Sequence, residues 1–152
     1  MKSLANVKDK DQVLRRLAGI GPESERLWGS MSAHGMMVHL IDAFEISKRK
    51  TRLQPRGNRV SQLLMKSIAL YLPAPWPKDI KTLPEVDQDK KGSKLKQFEV
   101  DKNALIEMIE WYSRAPKDYA FQPHPIFGRL TVNQWQRWGY LHVDHHLRQF
   151  GR

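Results

Sequence analysis

Two histidines near the end of the sequence have a spacing that could bind a metal ion. His142 and His146 are four residues apart. On an α-helix, where successive residues are about 100° apart, such a pair lies one turn apart on the same side. The chain contains no cysteine. This excludes thiolate ligands, disulfides and a cysteine nucleophile, so histidine and carboxylate remain as the available ligand chemistry.

A pair of imidazoles on one helix does not complete a tight site, so a third ligand has to come from another element. His39 is the best candidate because it lies in the middle of an apolar helical stretch. Such surroundings disfavour a charged imidazole and suit a neutral ligand. His34 and His124 rank lower, because they lie near a helix start and in a loop. The predicted metal ligands are therefore His39, His142 and His146.

Several neighbours share the face of the last helix that carries the histidine pair. Trp135, Trp138 and Gln149 fall close to that face, so we expect aromatic rings to wall the site. Asp144 points nearly the opposite way and is a poor ligand candidate. His145 lies at the edge of the face, where it can bond a backbone carbonyl or approach the open side of the site.

Interpretations without a metal account for the same residues. A single histidine on an apolar stripe is more often a hydrogen-bonded core residue than a ligand. A histidine pair at this spacing also occurs by chance on a solvated helix face. The tryptophans and methionines elsewhere are more typical of core packing than of a ligand cage or a copper site. Spacing alone therefore leaves both interpretations open.

Hydrophobic periodicity and capping residues predict five helical segments that position these histidines. The segments run from about Lys8 to Ile20, Ser32 to Lys50, Val60 to Leu72, Asp101 to just before Pro116, and Thr131 to Phe150. The predicted N-caps are Ser32, Asp101 and Thr131. Prolines and glycines predict two long connections, at about 73–96 and 116–130.

The third segment groups its large apolar residues on one side of the helix. These residues are Leu63, Leu64, Ile68 and Leu72. In the fourth segment, Leu105, Met108, Ile109 and Tyr112 are predicted to face inward.

Length and composition favour one globular domain over residues 1–152. The chain has 152 residues, of which 40% are hydrophobic, which is enough for a single core. It has no apolar run near the roughly 20 residues that span a bilayer, and its start lacks the apolar stretch of a signal peptide. We therefore expect a cytoplasmic protein that is not in a membrane.

The formal net charge of +10 raises the question of nucleic-acid binding. The basic residues fall in stretches that look like helix ends and loops, and are predicted to be solvated. They include Lys48, Arg49, Lys50, Arg52, Arg56, Arg59, Lys90, Lys91, Lys94 and Lys96. No exposed aromatics interleave with them and no recognition motif is present, so specific nucleic-acid binding is not favoured.

Two stretches resemble a known superfamily. HPIFGRLTVNQWQRWGYLHVDHHLRQFG, His124 to Gly151, carries an H-x-x-H-H-x-x-Q pattern, and LWGSMSAHGMMVHLIDAF, Leu27 to Phe44, carries Trp-Gly and Met-x-x-His-Leu. Both resemble the DinB/YfiT-like superfamily of metal-binding four-helix bundles, in a branch catalogued as a domain of unknown function. The connector PAPWPKDIKTLPE resembles the Pro-rich connector of that branch, so the resemblance covers most of the chain.

The resemblance implies an all-α, DinB-like four-helix bundle with long crossover loops. It also implies metal ligation by His39, His142 and His146, the residues that helical spacing selects, and three histidines suit zinc or nickel. One departure is His34, where a polar residue such as glutamine is expected. This departure concerns the rim of the pocket and not the three ligands.

The resemblance further implies a class of reaction but no substrate. Superfamily members include transferases and isomerases that use low-molecular-weight thiols, and others catalogued as metal-dependent hydrolases. We therefore expect a metal-dependent enzyme of hydrolase or thiol S-transferase type, acting on an unknown small molecule with an external thiol as a candidate cosubstrate. The alternatives are a non-catalytic metal or small-ligand binding protein and a basic nucleic-acid-associated protein.

Catalytic residues and oligomeric state stay open at this level. The sequence indicates no convincing general base. Asp42 and Glu45 lie on the predicted helix of His39 and are candidates to hydrogen-bond a ligand histidine. A homodimer is compatible with the sequence.

Overall fold

The computed structural model describes residues 1–48, 53–78 and 80–152. These residues form five α-helices, one short 3-10 helix and no strand. The α-helices are α1 (Val7–Ala18), α2 (Ala33–Ile46), α3 (Arg59–Tyr71), α4 (Phe98–Ser113) and α5 (Val132–Gln149), and the 3-10 helix is Pro84–Val86. The all-α class predicted from the sequence is confirmed.

Four of the helices pack around a common core. α4 and α5 contact each other, and α1 and α2 each contact both of them but not one another, whereas α3 contacts only α5 among the described helices. Leu17, Leu40, Leu105 and Leu147, one from each of the four, are fully buried in that core. The arrangement is a helical bundle with α3 added on its outer side. Within the described ranges, no helix is both long enough and apolar enough to cross a bilayer.

Capping residues set the starts of the two helices that carry the histidines. The Ser32 hydroxyl accepts a hydrogen bond from the Gly35 amide at the start of α2. At the start of α5, the Thr131 hydroxyl accepts from the Gln134 amide and the Gln134 side chain accepts from the Thr131 amide. This reciprocal pair is a capping box. Both predicted caps are confirmed.

The predicted N-cap of α4 is wrong. The helix begins at Phe98 with Gln97 as its N-cap, and Asp101 lies inside the first turn. The Asp101 carboxylate instead accepts from the backbone amide of Lys96, 2.9 Å away, and bonds His34. The carboxylate therefore holds the chain that enters the helix, so the helix extends one turn further back than the sequence pattern indicates.

The connections agree with the predicted loops. Between α3 and α4 the described chain contains only the 3-10 helix Pro84–Val86, and residues 116–130 form no helix. α2 ends at Ile46 and not near Lys50, and the Ser47 hydroxyl donates to the Phe44 carbonyl at that end. The predicted basic positions Arg49, Lys50 and Arg52 lie outside the described residues.

The inward positions predicted for the fourth segment are largely confirmed. Leu105, Ile109 and Tyr112 are fully buried, and Met108 is partly buried against the core. The third segment differs, because its apolar residues face outward and only Leu70 of α3 is buried. Periodicity identifies which residues share a side of a helix, but not whether another element covers that side.

Candidate metal centre

The structure brings three histidines from two helices together. His39 comes from the middle of α2, and His142 and His146 from the second half of α5. Each offers one ring nitrogen such that these atoms all lie within 4.8 Å of one another. The Nε2 atoms of His39 and His142 are 3.2 Å apart. His39 and His146 are buried, and His142 is partly exposed. Such a cluster could hold one metal ion.

The crossover between α3 and α4 orients the His39 ring. Its Nδ1 atom lies 2.8 Å from the carbonyl oxygen of Val86, in the short 3-10 helix. A carbonyl oxygen can only accept, so Nδ1 carries the proton and donates. The Nε2 atom is then unprotonated, and its lone pair points toward His142. This is the pairing that fixes metal-binding histidines in their ligating form.

Gln149 orients His146 in the same way. Its amide oxygen lies 3.0 Å from His146 Nδ1, and its amide nitrogen donates to the Trp28 carbonyl at 2.9 Å. Because the amide nitrogen is committed to Trp28, the oxygen faces the histidine and accepts its proton. His146 Nε2 is therefore left free to bind. Gln149 is itself buried, which keeps water from competing for these bonds.

His142 lacks a comparable partner. Its Nδ1 atom is buried and has no hydrogen-bond partner among the described residues. If Nδ1 carries the proton, that donor is unpaired and the two facing Nε2 lone pairs repel. If Nε2 carries it, Nδ1 is a buried unpaired acceptor. A cation between the Nε2 atoms removes the repulsion in the first case, so the residues present fit a bound metal.

Electrostatics keep all three imidazoles neutral. Burial lowers the pKa of His39 below its ordinary value. Burial, followed by repulsion from the neighbouring histidines, holds the pKa values of His142 and His146 well below the usual range. An unprotonated imidazole is the form that binds metal. No ring therefore carries a second proton that a metal would have to displace at neutral pH.

Two tryptophan rings lie beside His142. Trp138 on α5 lies 4.8 Å from His142 between ring centroids, and Trp135 packs behind it at 5.1 Å. The predicted aromatic wall is confirmed for Trp138, while the ring of Trp135 packs against Trp138 and His124. Trp76, from the crossover, lies 5.9 Å from both His142 and His145. Sequence reasoning missed Trp76 as a wall residue, because only its place in the Pro-rich connector marks it.

His145 is next to the cluster but not part of it. It is buried, its ring contacts Trp28 at 4.9 Å, and its Nδ1 atom is unpaired within the described chain. Burial and the nearby Arg148 lower its pKa to about 4. Asp144 turns away from the cluster to pair with Arg16 and Arg148, as predicted.

The two remaining histidines have separate roles in the fold. His34 pairs with Asp101 at 2.8 Å and joins α2 to α4. His124 is buried in the loop before α5, where its Nδ1 accepts from the amides of Ile126 and Phe127. Burial lowers the pKa of His124 to about 3.

The carboxylates proposed as partners of His39 have other contacts. Asp42 accepts hydrogen bonds from the backbone amide and the side-chain hydroxyl of Ser93. Glu45 pairs with Lys48. The bond that orients His39 comes from the Val86 carbonyl, which a sequence pattern does not reveal.

Comparison with known proteins adds one match. Residues 78–152, about half of the chain, match the model of a family described as Protein of unknown function (DUF1569). The matched segment contains His142 and His146 and excludes His39. No curated protein and no solved structure gave a significant match.

Proposed function

We propose that this chain is a DinB-like metal protein in which His39, His142 and His146 hold one divalent ion. We further propose that it is a metal-dependent enzyme of hydrolase or thiol-transferase type. The observation that carries the first part is the convergence of three neutral imidazoles, two of them with Nδ1 tied to an oxygen acceptor. Nitrogen ligands of this kind suit zinc or nickel.

Three protein ligands leave one position on the metal open for a further ligand. Catalytic sites usually have such an open position, whereas structural sites are closed by four protein ligands. A dication in this position lowers the pKa of a bound water or external thiol and supplies a nucleophile near neutral pH. The chain's own residues contribute orientation and surroundings. Val86 and Gln149 hold two of the rings, and Trp76 and Trp138 restrict water beside the partly exposed His142. The proposal assigns no general base.

A non-catalytic role is the second candidate, because the three histidines join two different helices. An ion bound there would link α2 to α5 and stabilise the bundle. Both candidates require the same ligands, so metal content tests what they share. A screen of small ester, amide and electrophilic substrates, with and without a low-molecular-weight thiol, separates them. Metal-dependent turnover supports the enzyme.

The direct test is elemental analysis of purified protein reloaded with zinc or nickel and then desalted. We expect about one ion per chain, and loss of the ion in His39→Ala, His142→Ala and His146→Ala, since each removes one of three ligands. His145→Ala is the matched control, because it also removes a buried histidine. It should keep the ion, because His145 is not one of the three proposed ligands. Unchanged metal content in His142→Ala and His146→Ala would refute the proposed ligands.

A further inference from the structure

The outward side of α3 is an apolar surface that the described chain leaves uncovered. Its residues, called here the α3 face, are Val60, Leu63, Leu64, Met65, Ile68, Tyr71 and Leu72, and each is between 44% and 76% exposed. The two charged residues of α3 lie elsewhere. Arg59 is at the first position, and Lys66 turns toward the Arg129 carbonyl. A helix on a protein surface normally presents polar residues to water, so this face needs an explanation.

Contacts on the other side of the helix already hold α3 in place. Leu70 is fully buried, and Arg137 of α5 donates to its carbonyl oxygen. Gln134 of α5 donates to the Tyr71 hydroxyl at 2.9 Å. The helix is therefore attached to the bundle through one side. Of the α3 face residues, only Tyr71 takes part in these bonds, through its hydroxyl.

We propose that the α3 face is the interface of a homodimer in which two copies of the chain pack their α3 helices together across a two-fold axis. The exposed area of the α3 face is close to the area that one partner contributes to a stable dimer interface. At these exposures the seven residues present roughly 700 Å² of accessible surface, above the few hundred Å² that a monomer normally exposes in one apolar patch. A stable interface needs about 800 Å² from each partner.

The chemistry of the face suits a second copy of itself. A two-fold interface places the same patch on both sides, so any charge in the patch would meet its own like charge. The α3 face contains none.

An anionic lipid surface is the main competing occupant, because both charged residues of α3, Arg59 and Lys66, are basic. Helices that lie on membranes direct Lys and Arg from their polar side toward the lipid phosphates. Here the side of α3 opposite the apolar face packs on α5, and Lys66 is bonded to the Arg129 carbonyl. The observations therefore favour a protein partner.

The dimer would also brace the candidate metal centre. The Trp76 indole donates to the Ala69 carbonyl of α3 at 2.9 Å while its ring faces His142 and His145. Fixing α3 between two bundles would fix this wall of the site. The dimer does not depend on the proposed function, because none of the α3 face residues is a proposed ligand.

Sedimentation equilibrium of the full chain from about 1 to 100 µM tests the proposal. We expect twice the chain mass of 17.8 kDa. Leu64→Glu combined with Ile68→Glu should weaken association on the order of 100-fold or more, because dimerisation would then bury four carboxylates. Val100→Glu is the matched control. Val100 lies on the first turn of α4 and is 47% exposed, as Ile68 is, and its replacement should leave the dimer intact.

Single cysteines give a second readout if the glutamate variant fails to fold by circular dichroism. The natural chain contains no cysteine. Leu64 and Ser67 lie near the middle of α3, so in an antiparallel pair one of these positions lies beside the same position of the partner chain. Mild oxidation should cross-link Leu64→Cys or Ser67→Cys into a dimer, but not Val100→Cys.

Several results would overturn the proposal. These are a monomer over the whole concentration range, a dimer that the glutamates leave unchanged, or no cross-link through either cysteine. A monomer that floats with phosphatidylserine–phosphatidylcholine vesicles, and loses this through the same glutamates, would assign the face to a lipid surface instead.

Discussion

Replacing Gln149 with leucine should weaken metal binding without removing a ligand. Gln149 accepts the Nδ1 proton of His146 and donates to the Trp28 carbonyl, and its side chain is buried. Leucine has a similar volume but can do neither. His146 would keep its place on α5 while losing the bond that fixes its ring and its protonated nitrogen.

The magnitude follows from the role of such bonds at metal sites. Loss of a partner that orients a ligand histidine typically costs about 10- to 100-fold in metal affinity, or about 1.4–2.7 kcal/mol. The metal-free fold should also lose about 1–3 kcal/mol, because the His146 N–H and the Trp28 carbonyl are left without partners inside the protein. The change in affinity therefore has to be measured under conditions in which the variant is fully folded.

Competition against a chromophoric zinc chelator measures the affinity, and circular dichroism monitors folding. Gln149→Glu is the matched variant, because a carboxylate still accepts the His146 proton but cannot donate to Trp28. We expect its affinity to stay within a few-fold of the natural protein or to exceed it, since a carboxylate partner increases the basicity of the ligand.

Two results would refute this reasoning. A folded Gln149→Leu variant that binds zinc as tightly as the natural protein would mean that Gln149 does not orient His146. Equal losses in Gln149→Leu and Gln149→Glu would show that anchoring the Trp28 carbonyl matters and that accepting from His146 does not.

Two further predictions concern stability. Burial lowers the pKa of His124 to about 3 in the folded chain, while the unfolded chain takes up that proton near pH 6.5, so stability should fall as pH drops below about 6.5. His124→Asn keeps an acceptor for the Ile126 amide but cannot titrate. Between pH 7.5 and 5.0, the free energy of unfolding of the metal-free variant, measured by urea denaturation, should fall by about 2 kcal/mol less than that of the natural protein. An equal fall in both proteins would contradict this. A Cβ at Gly139 would lie 2.8 Å from Phe44 and 2.9 Å from Leu4, so Gly139→Ala should cost about 1–3 kcal/mol. Gly21→Ala, with nothing within 4 Å, should be nearly neutral in the same assay, and equal effects would contradict the packing argument.

The sequence by itself determined the features that depend on local spacing. The four-residue interval between His142 and His146 placed them on one side of a helix, and the side chains of Ser32 and Thr131 set where α2 and α5 begin. These predictions succeed because a hydrogen bond or a helical turn spans only three or four residues. The absence of cysteine restricted the ligand chemistry in the same direct way.

Tertiary structure decided everything that depends on which elements meet. His39 and His142 are more than a hundred residues apart, and their Nε2 atoms face each other only because α2 packs beside α5. The Val86 carbonyl that orients His39 and the Trp76 ring beside the cluster come from a crossover without helical periodicity. Whether the apolar side of α3 faces the core or solvent was undecided for the same reason. A hydrophobic pattern records which residues can be buried together, and only long-range packing decides what covers them.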